Sequence, residues 1–412
     1  MQLLSDLHEA HRRACKNKWT RPVVQKFNRR KEEGLQALAL SLWFRTYSPG
    51  PMLCKMEYRP RKREVFVPAF EDEIVDHLYC MYTEELFLRL CTEDLYSGIK
   101  GRGNSYGIDR LERHIRQESL NFTVPCYVLK MDIRGYYLHM LRPVLLEICL
   151  DGLRKMASRR ITKRSALRWG DVVDVDYVEY LTRVIVTQDP LKDCRRVAPL
   201  SEWDDLPPEK SFFHMEAGRG VPPGKLTSGL FGNLYLNGMD HFLKRELHCR
   251  HTGRFTDDFY VVSADRSLLL SLVPRIEEYL GRERGLELQK GKTRIFDVRK
   301  GVPFLGAFVL PHRRYMENRT VRRMRARLDE VQLNLKHDRG VSSAHSALNS
   351  YLGLMSQFRG YNMARQVMLE QHRFHKYGHF TLGMKKFVPF TPLSLKPRED
   401  EKQGFPIPEP GP

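Results

Sequence analysis

The sequence predicts an α+β fold, and three observations support this prediction. Helical spacing of apolar residues dominates both ends of the chain, whereas runs typical of β-strands lie between them. Residues 125–132 form a nearly continuous apolar run, as expected for a strand buried on both faces. Residues 254–263 place an Asp-Asp pair between an aromatic-rich half and a β-branched half, which predicts a strand, a tight turn and a second strand.

The composition indicates a folded protein that binds a polyanion. Hydrophobic residues make up 42% of the 412 residues and charged residues 29%, which is typical of a folded, soluble chain of two or three domains. The 69 Lys and Arg exceed the 50 Asp and Glu, for a formal net charge of +19. Such an excess favours nucleic acid as the partner.

A membrane surface is the competing partner for a basic chain. No apolar run approaches the roughly 20 residues that a spanning helix requires. Residues 1–7 lack the charged start and the cleavage site of a signal peptide. We therefore expect a cytoplasmic protein without a membrane partner.

The cysteines argue against both a disulfide scaffold and a zinc site. The chain has 8 cysteines and no CxxC pair, which indicates reduced thiols. The segment His-Cys-Arg-His at 248–251 has no second ligand pair at zinc-finger spacing.

The first third of the chain predicts helices around one strand and one basic loop. Helices with basic faces end at a Pro-Gly break at 48–51, and a basic cluster then enters a short strand near 63–68. A helix follows from about Glu71. Residues 96–105 form a Gly-rich basic loop that matches neither a Walker A loop nor a GxGxxG motif. Its amides and cations are suited to cradle phosphates, and a plain flexible loop is the alternative.

The middle of the chain predicts the parts that surround the Asp-Asp hairpin. Asp132 lies at the exit of the first apolar strand, and a helix follows from about Pro143. Residues 151–212 are interpreted as an elaboration within a domain. A Gly/Pro loop at 218–225 leads into a helix whose small residues would let another group approach the backbone closely; these residues are Ser228, Gly229 and Gly232.

The last third changes from strands to helices. After the hairpin the sequence predicts a helix at 268–280, a short strand around 286–288, a basic turn at 290–293 and a hairpin arm at 302–309. From Thr320 a 3-4 spacing of apolar residues predicts helices, the first of them rich in arginine. The Pro-rich end, 386–412, is expected to be disordered.

Three carboxylates lie at strand ends or in a turn, namely Asp132, Asp257 and Asp258. An Asp-Asp pair on its own is more typical of a solvated turn. Asp132 precedes Asp257 by 125 residues, so only the fold could bring the three together. If it does, their hard oxygens suit Mg²⁺ or Mn²⁺, and two such ions about 4 Å apart serve in-line phosphoryl transfer. Lys292 could then protonate the leaving pyrophosphate, although a surface lysine needs no role.

The order of five segments is more specific than any of them alone. In sequence the chain carries Met-Asp-Ile-Arg-Gly-Tyr-Tyr at 131–137, Pro-Pro-Gly-Lys-Leu-Thr-Ser at 222–228, Phe-Thr-Asp-Asp at 255–258, Leu-Glu-Leu-Gln-Lys-Gly-Lys-Thr at 286–293 and Pro-Phe-Leu-Gly-Ala-Phe at 303–308. This series resembles palm motifs A to E of reverse transcriptases. Upstream, residues 63–72 and 101–103 resemble fingers motifs of the bacterial branch, which includes group II intron maturases, retrons, diversity-generating retroelements and defence-associated enzymes. The resemblance covers about residues 1–365.

The resemblance implies a right-hand polymerase. Fingers with an N-terminal helical extension would span 1–124, the palm 125–310 with the insertion at 151–212, and a helical thumb 311–385. It makes Asp132, Asp257 and Asp258 the catalytic metal ligands, with Ile133 as a further residue of the metal site and Lys292 beside them.

The resemblance also assigns the contacts to substrate. Tyr137 would be the steric gate that excludes a ribose 2′-hydroxyl, while Tyr136 would pack in the core. The other nucleotide-binding residues would be Arg63, Lys100, Arg102, Gly224, Thr227 and Ser228. The primer grip would be Phe304, Leu305 and Gly306, and the thumb arginines that contact nucleic acid would be Arg322, Arg323, Arg325 and Arg327.

Four positions depart from the pattern of these relatives. Pro223 precedes Gly224, and Gly229 stands where a glutamine is usual. Ile99 replaces an arginine of many relatives, and Phe255 replaces the tyrosine of the Tyr-x-Asp-Asp box. The glutamine position is tied to how nucleotide and template are held, so its loss favours a role in defence over adenine-targeted mutagenesis.

The implied function is RNA-directed DNA synthesis in the bacterial cytoplasm with two Mg²⁺ ions, or Mn²⁺. The expected partners are an RNA template, in particular a dedicated noncoding RNA, a DNA or protein primer, dNTPs, and an accessory protein, a second polymerase or a further copy of the chain. Antiviral defence is the preferred setting and a diversity-generating retroelement the alternative. A maturase-like RNA-binding protein that does not polymerise is a third hypothesis, and a carboxylate nuclease a fourth.

Overall fold

The computed structural model describes residues 2–58, 61–162, 165–335, 341–358, 361–370 and 372–390. They divide between two compact units. The first unit comprises Met1–Gly107 and Leu129–Ile295, and the second comprises Ile108–Val128 and Phe296–Pro412. No helix among the described residues combines the length and the apolar character needed to cross a membrane.

Eleven α-helices precede residue 280 in the described chain. They are α1 (Gln2–Ala14), α2 (Pro22–Asn28), α3 (Lys31–Trp43), α4 (Phe70–Leu88), α5 (Asn104–Glu118), α6 (Tyr136–His139), α7 (Arg142–Ala157), α8 (Val175–Thr187), α9 (Leu226–Tyr235), α10 (Asn237–Arg245) and α11 (Arg266–Tyr279). The later helices are α12 (Asn318–Asn334), α13 (Val341–Ser356) and α14 (Tyr361–Glu370).

The strands of the described residues form four small sheets. The strands are β1 (Leu53–Glu57), β2 (Arg63–Val67), β3 (Tyr127–Met131), β4 (Arg195–Arg196), β5 (His251–Phe255), β6 (Asp258–Ser263), β7 (Arg294–Asp297), β8 (Val302–Phe304), β9 (Ala307–Leu310), β10 (Arg313–Met316), β11 (Gly378–Phe380) and β12 (Phe387–Pro389). The sheet orders are β2-β1-β4, β5-β6-β3-β7, β10-β9-β8 and β11-β12. The boundary between the two units falls inside α5, β3 and β7.

The N-terminal helices of the first unit pack around an aromatic cluster. The ring centroids of His11 and Phe27 lie 5.6 Å apart, and those of Phe27 and Phe70 lie 5.3 Å apart. Pro22 occupies the first turn of α2, where its missing N–H costs no helical hydrogen bond. The first turn of α4 is acidic, which matches the positive end of the helix dipole.

The segment 151–212 lies wholly in the first unit and joins the β1–β2 hairpin. Strand β4 adds to β1 in parallel, and Phe212 packs with Met52, Cys54 and Phe66 in one core cluster. Glu64 of β2 is 2% exposed and accepts hydrogen bonds from Trp203 Nε1, Ser211 Oγ and Phe212 N at 2.8, 2.6 and 2.6 Å. A buried carboxylate therefore anchors this segment to the hairpin.

The second unit contains a three-stranded antiparallel sheet and helices α12 to α14. Strands β8 and β9 pair through a two-residue turn at Leu305 and Gly306, both with positive φ. Met324, Leu328 and Val331 form the buried face of α12. Helix α12 packs on α13, which also contacts β12.

Most predicted elements occur, with four differences. The strand predicted around 286–288 is reduced to a single bridge between Ile133 and Leu288, because only two backbone hydrogen bonds join these segments of the described chain. Strands β1, β4, β7, β10 and β11 were not predicted, and the arm predicted at 302–309 is a complete hairpin. The segment predicted as tail from 386 includes β12, whose pairing with β11 supplies the hydrogen bonds a tail would lack. The rest of that tail, 391–412, lies outside the described residues.

Candidate active site

The Asp-Asp pair lies at the end of a two-residue hairpin turn, with Asp257 in the turn and Asp258 as the first residue of the second strand. Strands β5 and β6 pair in antiparallel register from His251–Val262 to Phe255–Asp258, so Thr256 and Asp257 form the connection. Thr256 has a φ of +57°, a left-handed conformation that costs a β-branched residue about 1–3 kcal/mol. The predicted strand, turn and strand are confirmed.

The sheet brings Asp132 to this turn. Asp132 follows β3 directly, and β3 is the neighbour of β6 in the sheet. The electrostatic interactions also indicate that Asp132 is close, because its carboxylate raises the pKa of both Asp257 and Asp258. Residues separated by 125 positions therefore share one site.

Burial and mutual repulsion disfavour the charged forms of these carboxylates. Burial, then Asp132, then Asp258 raise the pKa of Asp257 to about 6. Burial is also the main cause for Asp258, whose pKa is raised to about 6 although Lys130 opposes the change. A desolvated cluster of like charges is the environment in which a cation binds favourably.

Two lysines balance part of this charge. Lys292 Nζ lies 2.6 Å from Asp132 Oδ2, and Lys130 Nζ lies 3.0 Å from Asp258 Oδ2. The second oxygen of Asp258, Oδ1, is buried and has no hydrogen-bond partner among the residues that the structure describes. A buried anionic oxygen without a partner is unusual in a folded protein and requires an explanation.

The residues fit a hard divalent cation by donor type. Carboxylate oxygens are the ligands that Mg²⁺ and Mn²⁺ prefer, and the unpartnered Oδ1 of Asp258 is a free donor for one. No group of three or more His, Cys, Asp or Glu side chains in the described part of the chain already stands at metal-holding geometry. Lys130 and Lys292 each occupy a carboxylate oxygen instead.

Ile133 is buried beside Asp132. The hydrogen bonds from Arg134 N to Glu287 O (2.9 Å) and from Gln289 N to Asp132 O (2.8 Å) flank it on both sides. Its own carbonyl is therefore not used in that pairing, which leaves the backbone oxygen as the atom that could take part in a metal site.

Tyr136 and Tyr137 both contact α9 at Gly232. The buried Tyr136 hydroxyl donates to the Gly232 carbonyl, in agreement with the expected core role. A Cβ at position 232 would lie 2.9 Å from the Tyr137 hydroxyl oxygen, so only glycine leaves room for this ring. Burial and then Asp257 raise the pKa of Tyr137 to about 12, which places its ring within electrostatic reach of the hairpin turn.

The start of α9 turns its predicted nucleotide contacts inward. Thr227 and Ser228 are buried, and the Ser228 hydroxyl donates to the Pro222 carbonyl at 2.7 Å. Gly224 has a φ of +115°, and a Cβ there would lie 2.3 Å from the Phe66 carbonyl oxygen. The roles assigned to these residues stay predictions, and the structure gives each of them a packing role as well.

The open face of α9 carries different residues. Leu226 is 45% exposed, and outside the backbone of α9 no atom of the described chain lies within 4 Å of the place where a side chain at Gly229 would begin. A substrate that approaches α9 would meet this face first.

The residues predicted to contact phosphates differ in how exposed their side chains are and in whether they already make hydrogen bonds within the protein. Arg63 and Lys100 are exposed at the start of β2 and in the Gly-rich loop. Arg102 donates to the carbonyls of Glu93 and Leu95, both at 2.9 Å, and its guanidinium lies 5.6 Å from the Tyr106 ring centroid. Arg102 thus stabilises the loop itself.

The second unit contains the predicted primer grip and thumb arginines. Phe304 is buried, and the Gly306 carbonyl accepts from Glu317 N at 2.8 Å. On α12, Arg322 and Arg323 are exposed. Arg325 pairs with Glu370 at 3.2 Å and Arg327 with Glu330 at 2.8 Å.

The sequence analysis did not identify two basic residues near the aspartates, Lys130 and Arg254. Lys130 was one cation in an apolar run, and that isolated charge was the available signal. Arg254, fully buried beneath the turn, bonds to Asp240 of α10, and no local pattern connects them. A long-range ion pair between two helices or strands has no signature in a single sequence.

Comparison with solved structures finds telomerases at low identity. An apo telomerase from Candida tropicalis truncated from its C-terminal domain has a TM-score of 0.45 and 15% identity, with 68% of this chain and 59% of that chain covered. A telomerase from Candida albicans in complex with a TWJ fragment of telomeric RNA has a TM-score of 0.46 and 15% identity, with 81% and 57% covered. A further apo telomerase from Candida tropicalis has a TM-score of 0.47 and 14% identity, with 79% and 60% covered.

The chain spans about three fifths of the length of these telomerase chains. No family model matches the chain, and no curated protein matches it. The description of the fold therefore depends on the observed helices and strands and not on a relative.

Proposed function

We propose that this chain is an RNA-directed DNA polymerase, a nucleotidyltransferase that extends a primer on an RNA template. The observation that carries the proposal is the meeting of Asp132 with the Asp257–Asp258 turn in a partly desolvated cluster. The unpartnered oxygen of Asp258 supports it further. The motif order found in the sequence connects this cluster to the reverse transcriptase reaction.

The acidic cluster would hold two divalent cations. Asp132, Asp257 and Asp258 would be the carboxylate ligands, with the Ile133 carbonyl as a further donor. When bound, Mg²⁺ would activate the primer 3′-hydroxyl and neutralise the triphosphate and the leaving group.

The remaining groups of the site would orient substrate and move a proton. Lys292, which lies next to Asp132, would protonate the leaving pyrophosphate. The Tyr137 ring, fixed against Gly232 near Asp257, would block a ribose 2′-hydroxyl. Arg63 and Lys100 are exposed cations available for phosphates.

The biological setting we propose is bacterial antiviral defence, with a dedicated noncoding RNA as template. Gly229 favours this setting over a diversity-generating retroelement. The space around it is open, so packing does not explain why the usual glutamine is missing. Sequencing of the cDNA made in cells tests the setting, because a product copied from one noncoding RNA supports defence and a variable gene repeat supports diversity generation.

Primer extension on an RNA template with Mg²⁺ tests the activity. We expect incorporation by the wild type and none above background by Asp257→Asn, since removing one metal ligand eliminates the cation site. Asp151→Asn, which alters a surface carboxylate on α7 by the same change in charge, is the matched control and should extend normally.

Equal incorporation by the wild type and Asp257→Asn overturns the proposal. RNA binding by both proteins without incorporation supports the maturase-like hypothesis instead. Release of nucleotides from single-stranded DNA without added triphosphates supports a nuclease.

A further inference from the structure

The turn residue that precedes the two aspartates is held at both of its backbone polar groups. The Thr256 N–H donates to Ser97 Oγ at 3.0 Å, and the Thr256 carbonyl accepts from Arg254 Nη1 at 3.0 Å. Neither bond belongs to the β5–β6 ladder, whose last pair is Phe255 and Asp258. Side chains therefore satisfy two backbone polar groups of the turn that the strand pairing does not use.

Arg254 is itself rigidly placed. It is 1% exposed, and its Nε and Nη2 donate to the two oxygens of Asp240 at 2.8 and 2.6 Å. Nη2 also donates to the Asn233 carbonyl of α9 at 2.9 Å. A planar guanidinium bonded to a carboxylate and two carbonyls has a single orientation available.

Ser97 is fixed in the same way from the other side. Its hydroxyl donates to Asn233 Oδ1 at 2.9 Å, and Asn233 Nδ2 returns a bond to the Ser97 carbonyl at 2.9 Å. Asn233 thus joins both sides of the arrangement. Ser97 is also part of the Gly-rich loop at 96–105.

The turn needs such support because its neighbours repel one another. Asp257 and Asp258 are adjacent in sequence, and Asp132 directly follows the neighbouring strand β3, so three like charges converge at this turn. Thr256 adopts a left-handed conformation that its β-branched side chain does not favour. Free to relax, the turn would move the carboxylates apart.

We propose that Arg254, held by Asp240, and Ser97, held by Asn233, are positioning residues that clamp Thr256 and preorganise Asp257 and Asp258 for a divalent cation. The proposal rests on the proposed function. It states that these side chains set the affinity of the site for the cation without touching the cation, the nucleotide or the primer.

The test measures Mn²⁺ binding to the full-length protein by calorimetry, without nucleic acid or nucleotide. We expect the wild type to bind Mn²⁺ and Asp257→Asn to lose binding. Partners behind the ligands commonly change metal affinity by about 10–100-fold, so Arg254→Lys should raise the dissociation constant by that factor. Ser97→Ala removes one acceptor and should raise it by about five- to tenfold.

Ser211→Ala is the matched control. Ser211 is buried like Ser97, and its hydroxyl donates to Glu64 at 2.6 Å, away from the turn. This variant should bind Mn²⁺ like the wild type. Ser97→Thr keeps the hydroxyl and should restore most of the affinity that Ser97→Ala loses.

Primer extension separates positioning from general destabilisation. At saturating Mn²⁺ the kcat of Ser97→Ala should return to within a few-fold of wild type, while the half-saturating Mn²⁺ concentration stays raised. Circular dichroism verifies that each variant is folded. Folded Ser97→Ala and Arg254→Lys with wild-type Mn²⁺ affinity overturn the clamp and leave the proposed function intact. A wild type that binds no Mn²⁺ overturns the metal site itself.

Discussion

Burial and the neighbouring carboxylates raise the pKa of Asp257 and Asp258 in the folded chain, and this has a measurable consequence for stability. Their pKa of about 6 lies above the ordinary value of 3.8, so the folded protein holds protons that the unfolded chain releases. The stability they contribute is complete below pH 3.8 and is lost as the pH rises through about 6.

We expect Asp257→Asn to be more stable than the wild type above pH 6 when divalent cations are removed. The gain should reach up to about 3 kcal/mol in the free energy of unfolding and shrink towards pH 4, since one pKa unit corresponds to about 1.4 kcal/mol. Urea denaturation in EDTA from pH 4.5 to pH 8 measures it.

Added Mg²⁺ should reverse the order, because a ligand of the folded state stabilises only the protein that binds it. Asp265→Ala is the control of opposite sign. Asp265 caps α11, and hydrogen bonds from Ser267 and Leu268 lower its pKa, so its loss should destabilise the protein at neutral pH. Equal stability of wild type and Asp257→Asn across the range contradicts the desolvated cluster.

At the scale of the element, α12 presents two kinds of arginine. Arg322 and Arg323 are exposed, whereas Arg327 shares its charge with Glu330 on the same helix. An exposed arginine is more available to a phosphate backbone than one that is already paired.

We expect Arg322→Ala with Arg323→Ala to weaken binding of an RNA–DNA duplex and to lower the salt slope by about two, one for each phosphate that is no longer neutralised. Arg327→Ala should change the slope by less. Fluorescence anisotropy across a salt series measures both variants, and identical slopes in all three proteins contradict a role for this helix face.

Elements were predictable where the pattern is local. The run ending at Asp132, the β5–β6 hairpin and the helix of α12 each have a period or a turn visible in the sequence. Strand β1 was not predicted although Leu53–Glu57 partly alternates apolar and charged residues, because the run is short and follows a Pro-Gly break, and β7 was not predicted because its pairing is long-range. Lys130 and Arg254 were missed because their partners, Asp258 and Asp240, lie on other elements, and a single sequence does not show how separate elements align.

At the scale of the whole chain, the segment 151–212 proves to be a support for the β1–β2 hairpin within the first unit. Glu64 is the centre of that support, since three donors from the segment converge on one buried carboxylate. Those donors compensate its charge, so each bond is charge-assisted.

We expect Glu64→Gln to destabilise the protein by about 2–3 kcal/mol, because an amide NH₂ would face a donor in place of an acceptor. Urea denaturation measures the loss, and limited proteolysis should cut between 190 and 214 sooner than in the wild type. Glu209→Gln, an exposed change in the same segment, should stay within about 0.5 kcal/mol. Loss of the same size in both variants contradicts the anchor.

The side chain of Tyr137 packs closely against Gly232, so evolutionary substitutions at these two positions depend on each other. The Tyr137 hydroxyl oxygen lies 2.9 Å from where a Cβ at 232 would stand, so a larger residue at 232 is tolerated only if 137 becomes smaller or the ring swings away. Related proteins should therefore vary at these two positions together. A smaller residue at 137 leaves Gly232 without a clash, whereas a larger residue at 232 clashes while the Tyr137 ring stays in place. Where both positions differ, the substitution at 137 is therefore expected to have come first.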